Sequence, residues 1–107
     1  MSENESPIYS TLASDEDLAE LVVLFVNEMP ERVERLRKHF VDRNWSEFGR
    51  TAHQLKGAAG GYGFSPISVA AAELEEFVKG NMPESQIAES LERLIGLCCR
   101  TTALPQP

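Results

Sequence analysis

Ala52-His53-Gln54-Leu55-Lys56-Gly57-Ala58-Ala59-Gly60-Gly61-Tyr62-Gly63 is the stretch on which the reading of this chain turns. Phe48, Ala52, Leu55 and Ala59 recur at intervals of three and four, the spacing of one buried helix face. Asn44, three residues before Glu47, supplies an N-capping pattern ahead of them. The helix is expected to weaken near Gly60, Gly61 and Gly63, because a helix-interior glycine costs about 1 kcal/mol relative to alanine. At about 100° per residue, His53 stands about 160° from Leu55, so a buried Leu55 puts the imidazole in solvent. Gly49 and Gly57 fall about 40° to either side of His53, and Gly60 about 20° away two turns on. A sequence that places three glycines around one histidine gives up helix stability to leave that ring bare. Arg50 and Lys56 flank the same face, each about 60° from His53, where they can hold phosphoryl oxygens without crowding the ring.

Outward from this segment the chain reads as a series of helices with short joints. Met1 to Ala13 has no period and is expected to be a loose tail. Ser14, as N-cap, opens a first helix over 15–28 carrying Leu18, Leu21, Val22, Phe25 and Met29. Pro30 opens a second over 30–43, with Val33, Leu36, Phe40 and Val41 on one face. Ser65-Pro66 starts a fourth helix bearing Ile67, Ala70, Leu74 and Phe77, with Gly80 just past its end. A fifth begins near Pro83 and carries Ile87, Leu91, Leu94, Ile95 and Cys98. Short joints predict that consecutive helices lie antiparallel, an up-and-down bundle in an all-α fold.

Composition bounds the function. One hundred and seven residues make a single domain with a core of its own, too small for a kinase core or a dinucleotide-binding enzyme. The formal net charge of -7 argues against nucleic acid, whose affinity comes mostly from phosphates neutralised by Lys and Arg. Residues 32–56 nevertheless hold seven of the ten basic residues against three acidic ones, and that basic stripe suits an acidic protein partner. No run reaches the roughly 18 to 20 apolar residues of a membrane helix, and MSENESP lacks the features of a signal peptide, so a cytoplasmic protein without membrane attachment is expected. Cys98 and Cys99 are adjacent, point about 100° apart on a helix and read as packing residues rather than a disulfide. His39 reads as a surface residue, and no set of carboxylates or histidines has metal-site spacing.

His53-x-Leu55-Lys56-Gly57 with Gly63 following resembles the signature of histidine-containing phosphotransfer (HPt) domains, and the resemblance extends over about residues 14–102. It implies a four-helix bundle with an additional N-terminal helix, occupying 14–103 between the tail at 1–13 and a C-terminal tail at 104–107. It also implies that His53 accepts a phosphoryl group from a receiver-domain aspartyl phosphate and returns it to a receiver aspartate. Lys56 would steady the phosphoryl oxygens, Gly57 would keep the approach open, and Gly63 would serve the end of the third helix. Gly49, Arg50 and Gly60 are candidate docking residues; Arg50, which the resemblance does not specify, reads equally as a solvated charge. The expected partners are response-regulator receiver domains or a hybrid sensor kinase, meeting a monomeric carrier without kinase activity. No cofactor is expected on this chain, the Mg²⁺ belonging to the partner's acidic pocket. Val23, Leu24 and Val26 exceed what one buried face requires and could extend a docking patch. The competing function class is a structural adaptor that docks receivers or helices without being phosphorylated.

Overall fold

The computed structural model describes residues 6–107. Its helices are α1 (Ala19–Asn27), α2 (Met29–Val41), α3 (Trp45–Gly61), α4 (Ser65–Lys79) and α5 (Glu84–Cys98). Two short strands, β1 (Ile8–Tyr9) and β2 (Thr101–Thr102), pair in parallel with Ile8 opposite Thr101. The fully buried side chains include Phe25, Leu36, Phe48, Leu55, Phe64 and Leu74, so all of α1 to α4 contribute to one core, which Leu94 of α5 completes. Trp45 packs edge-on against Phe40 and Phe48, with ring centroids 5.7 and 5.8 Å away, and anchors the corner between α2 and α3.

Helix directions follow from which residues meet. Gly49 faces Val78, His53 meets Glu75 and Gly60 faces Ser68, so partner numbers fall along α4 as they rise along α3. Arg37 pairs with Glu92 and Arg43 with Glu84, the same opposed sense for α2 and α5. The first joint departs from the expectation of a reversal at every corner. Glu28 alone separates α1 from α2, with φ -89° and ψ -2°, so the chain runs on rather than folding back. Pro30 in the first turn of α2 has no N–H with which to continue the α1 ladder, which breaks the helix without turning it. The start of the first helix is also later than the sequence suggests. Asp15, not Ser14, accepts the N–H of Asp17 at 2.8 Å and that of Ala19 at 2.8 Å, and this local turn displaces the first helical residues.

The next three joints share one backbone solution. After α2, Asn44 N–H donates to His39 O and Arg43 N–H to Phe40 O; after α3, Phe64 to Ala59 and Gly63 to Gly60; after α4, Met82 to Phe77 and Asn81 to Val78. Each is the crossed hydrogen-bond pair of a Schellman cap, whose penultimate residue adopts positive φ. Those residues are Arg43 (φ 52°), Gly63 (φ 83°) and Asn81 (φ 55°). The left-handed residue after α4 is therefore Asn81 rather than Gly80, whose φ of -84° any residue can adopt. Despite Gly57, Gly60 and Gly61, α3 stays helical to Gly61, because Ala59 and Phe64 are sealed in the core on either side of its end.

The expected loose tail is corrected wherever it is described; residues 1–5 lie outside the described residues. Ile8 and Ser10 are buried, Ile8 N–H donates to Arg100 O at 2.7 Å, and Arg100 Nε donates to Ser6 O at 2.7 Å. Ser10 Oγ donates to Tyr62 O at 2.5 Å, and Thr11 N–H donates to Gly63 O at 3.0 Å. The segment is a strap that ties the end of α3 to the C-terminal strand. It has no helical or alternating period because its partners are backbone carbonyls, which leave no trace in the pattern of side chains. A Cβ on Gly63 would lie 2.7 Å from Ser10 Oγ and from Thr11 Oγ1, and 2.9 Å from Thr11 N. Gly63→Ala is therefore expected to destabilise the protein by about 2 kcal/mol or more, combining left-handed strain with overpacking. Urea unfolding checks this: the midpoint should fall with the slope unchanged, and an unaltered midpoint would show that the strap does not need the glycine.

Candidate functional site

The site is built on the seam between α3 and α4. Leu55 is buried and His53, on the other side of the helix, keeps 62% of its side chain exposed. Its ring leans toward α4, where Nδ1 lies 2.9 Å from Glu75 Oε2. Glu75 is the unusual member: its side chain is only 6% exposed and it also receives Lys56 Nζ at 3.2 Å on Oε1 and Lys79 Nζ at 3.3 Å on Oε2. Burial by itself pushes the carboxyl upward. The hydrogen bonds from Lys56, Lys79 and His53, together with the charge on His53, outweigh burial and hold it below the ordinary glutamate value.

An ionised carboxylate has no proton to give, so the hydrogen bond fixes the tautomer: Nδ1 carries the ring proton and donates it. When the ring is neutral, Nε2 is then the nitrogen that bears the lone pair. A lone-pair nitrogen on a largely exposed ring whose other nitrogen is held by a buried acceptor has the orientation of a nucleophile held by a partner group.

The sequence-selected residues fall into different places around this ring. A Cβ on Gly57 would meet nothing within 4 Å, so this position is open to solvent one turn from His53. The other two glycines face α4 instead. A Cβ on Gly49 would touch Val78 at 3.7 Å, and one on Gly60 would crowd Ser68 Oγ at 3.3 Å. Gly60 therefore serves close packing of α3 on α4, where Ser68 Oγ donates to Lys56 O at 2.9 Å. The three glycines share a helix face, but that face straddles the seam, and only at Gly57 would an added side chain meet nothing of this chain. Arg50 is exposed and pairs with Glu47 at 3.3 Å, one turn away from the Glu75 cluster. A cleft of about 370 Å³ beside the ring is lined by Trp45, Gly49, Arg50, Val78 and Lys79 together with His53 and Glu75.

No motif or capping pattern in the sequence singles out Glu75 or Lys79. Glu75 lies in the run Glu73-Leu74-Glu75-Glu76, and residue type does not separate it from its acidic neighbours. The available signal is position: it follows Ala71 by four residues on the buried stripe of α4, where an acidic residue needs a partner. Leu21, Val23 and Leu24 of α1 are exposed, whereas Val26 is partly buried against the core. Cys98 is buried, which with the neighbouring Cys99 pushes its thiol up to about 12, and both cysteines are free. Among the described residues, no group of three or more His, Cys, Asp or Glu side chains could hold a metal ion, and no helix is long and apolar enough to cross a membrane.

The Hpt domain family matches residues 20–103, most of the chain, and the protein belongs to that family. Hpt domains are histidine phosphotransfer carriers of two-component phosphorelays, which interact with receiver domains and kinases. No curated protein and no solved structure matches the chain.

The buried carboxylate makes a prediction about pH. A group whose folded value is depressed stabilises the fold fully above its unfolded value, here 4.5, and loses that contribution as pH falls through the folded value. Glu75→Gln should therefore be clearly less stable than the natural protein at pH 7, with the gap narrowing below pH 4.5. Chemical denaturation of both proteins across that range measures it; a gap independent of pH would mean that the charge on Glu75 contributes nothing.

Proposed function

We propose that this protein is a phosphorelay intermediate that accepts a phosphoryl group on His53 from a receiver-domain aspartyl phosphate and passes it to a receiver aspartate. The observation that carries the reading is the exposed His53 ring with Nδ1 tied to a buried carboxylate, beside the open space at Gly57. In the forward step the Nε2 lone pair attacks phosphorus in line, an N–P bond forms, and the P–O bond to the aspartyl carboxylate breaks with its electron pair leaving on that carboxylate. The Nδ1 proton stays in place, and Glu75 faces the positive charge that develops on the ring. The reverse step returns the phosphoryl group to a receiver aspartate and leaves the neutral ring as it began.

Lys56 sits one turn from His53 with its ammonium at the edge of the site, within reach of both Glu75 and an incoming phosphoryl oxygen. Gly57, Gly49 and Arg50 border the surface that a receiver would cover, and the exposed Leu21, Val23 and Leu24 of α1 are a candidate apolar extension of the docking surface. The Mg²⁺ that supports transfer belongs to the acidic pocket of the receiver. We further propose that α2 to α5 form an up-and-down antiparallel four-helix bundle with α1 as its additional N-terminal helix, and that the carrier works as a monomer in the cytoplasm without kinase activity of its own.

Mixing the protein with a phosphorylated receiver and Mg²⁺ should give acid-labile, base-stable label that is lost in His53→Gln. No label with any cognate receiver would favour a docking adaptor instead, and label that persists in that variant would put the phosphoryl group on a residue other than His53. Gly57→Leu should block transfer while melting near the natural temperature, since the added side chain meets solvent rather than this chain; unimpaired transfer would remove the clearance argument. Lys56→Ala should slow transfer by about tenfold without abolishing it, the loss of one charge-assisted hydrogen bond of about 1.5 kcal/mol.

A further inference from the structure

Lys79 has no part in the phosphotransfer scheme above, yet its ammonium touches the oxygen that orients the ring. Glu75 Oε2 accepts both His53 Nδ1 at 2.9 Å and Lys79 Nζ at 3.3 Å, whereas Lys56 Nζ binds the other oxygen, Oε1, at 3.2 Å. The two lysines are therefore not equivalent. Lys56 comes from α3, on the same helix as His53, and has a competing claim from the phosphoryl group. Lys79 comes from α4, one turn beyond Glu75 on the same helix, and its side chain is 65% exposed.

We infer that Lys79 is a positioning residue for His53: it acts through Glu75, keeping that carboxylate an acceptor while Lys56 turns to the phosphoryl group. This inference rests on the carrier reading for the movement of Lys56 but not for the hydrogen bonds themselves. When Lys56 leaves, Oε1 loses its partner, and the carboxylate, almost wholly out of water, keeps only the donors on Oε2. A buried carboxylate short of cations takes up a proton. A carboxylic acid in that place would donate to Nδ1 and drive the ring's own proton to Nε2, the nitrogen that must attack or release phosphorus. Arg50, the other cation bordering the cleft, is paired with Glu47 at 3.3 Å and leaves this duty to Lys79. An ordinary surface pair four residues apart on a helix would leave the ring unaffected.

Lys56→Gln imitates the departure of Lys56, and multiple-bond ¹H–¹⁵N spectra of the uniformly ¹⁵N-labelled full chain read the His53 tautomer directly. At pH 7.5 the K56Q protein should keep its proton on Nδ1. K56Q/K79Q should move it substantially to Nε2, and phosphohistidine formation from phosphoramidate, a small donor that needs no receiver, should fall about tenfold below that of K56Q, the equivalent of about 1.4 kcal/mol. K56Q/K79R should restore both. An Nδ1 proton retained in K56Q/K79Q, or already lost in K56Q, overturns the inference. So does a slower reaction with the tautomer unchanged, which would place Lys79 on the phosphoryl group itself, or a changed tautomer with the rate intact. If K56Q/K79Q does not fold, K79Q and K79R are compared with the natural protein in the phosphoramidate reaction: slowing by Gln but not by Arg supports the inference, and equal rates overturn it. Failure of every phosphorylated receiver to label the natural protein would sink the carrier reading while leaving the tautomer result to stand.

Discussion

A carboxylate withdrawn from water is tolerated only where donors surround it, and at Glu75 those donors come from both sides of one helix seam. His53 and Lys56 reach it from α3, three residues apart and so on adjoining turns of one face; Lys79 reaches it from its own helix. Because the acceptor is buried and the donors are not, the constraint works in one direction. The position of Glu75 is set by packing, and the exposed groups arrange themselves around it. This is how an imidazole with most of its surface in solvent acquires a defined orientation and a defined tautomer.

The rest of the fold keeps that seam in register. Gly60 lets α3 approach Ser68 of α4, and the hydroxyl of Ser68 in turn holds the carbonyl of Lys56. The turn between the two helices is fastened by its Schellman bonds and by the strap from Ser10 and Thr11, which occupies the carbonyls of Tyr62 and Gly63. Tyr62 lies against Phe25 of α1, with centroids 5.4 Å apart, so the N-terminal helix braces the same corner. The opening at Gly57 is thus presented by a rigid frame and does not come from a loosened helix.

Sequence legibility followed the range of the interactions. Helices α2 to α5 were placed within a residue or two because their apolar stripes and caps are local signals: Asn44 accepts from Glu47 N as its spacing suggests, at 3.3 Å. His53, Lys56 and Gly57 stood out for the same reason, being fixed neighbours on one helix. Glu75 lies 22 residues from His53 on a different helix, among other glutamates, and only packing decides which of them turns inward. The strap escaped notice because backbone-to-backbone bonds are indifferent to side-chain type, and the uninterrupted direction from α1 to α2 because a short joint looks the same whether or not it reverses the chain.

By itself, then, the amino-acid order determined the helices, the family they belong to and the exposure of one imidazole, since each depends on residues a turn or two apart along a single rod. Tertiary structure decided which carboxylate holds that ring, which nitrogen is left free, and which of the three glycines faces no neighbouring side chain. Those outcomes depend on how two rods are set against each other, and that setting is fixed by the summed packing of the whole core rather than by any short run of residues.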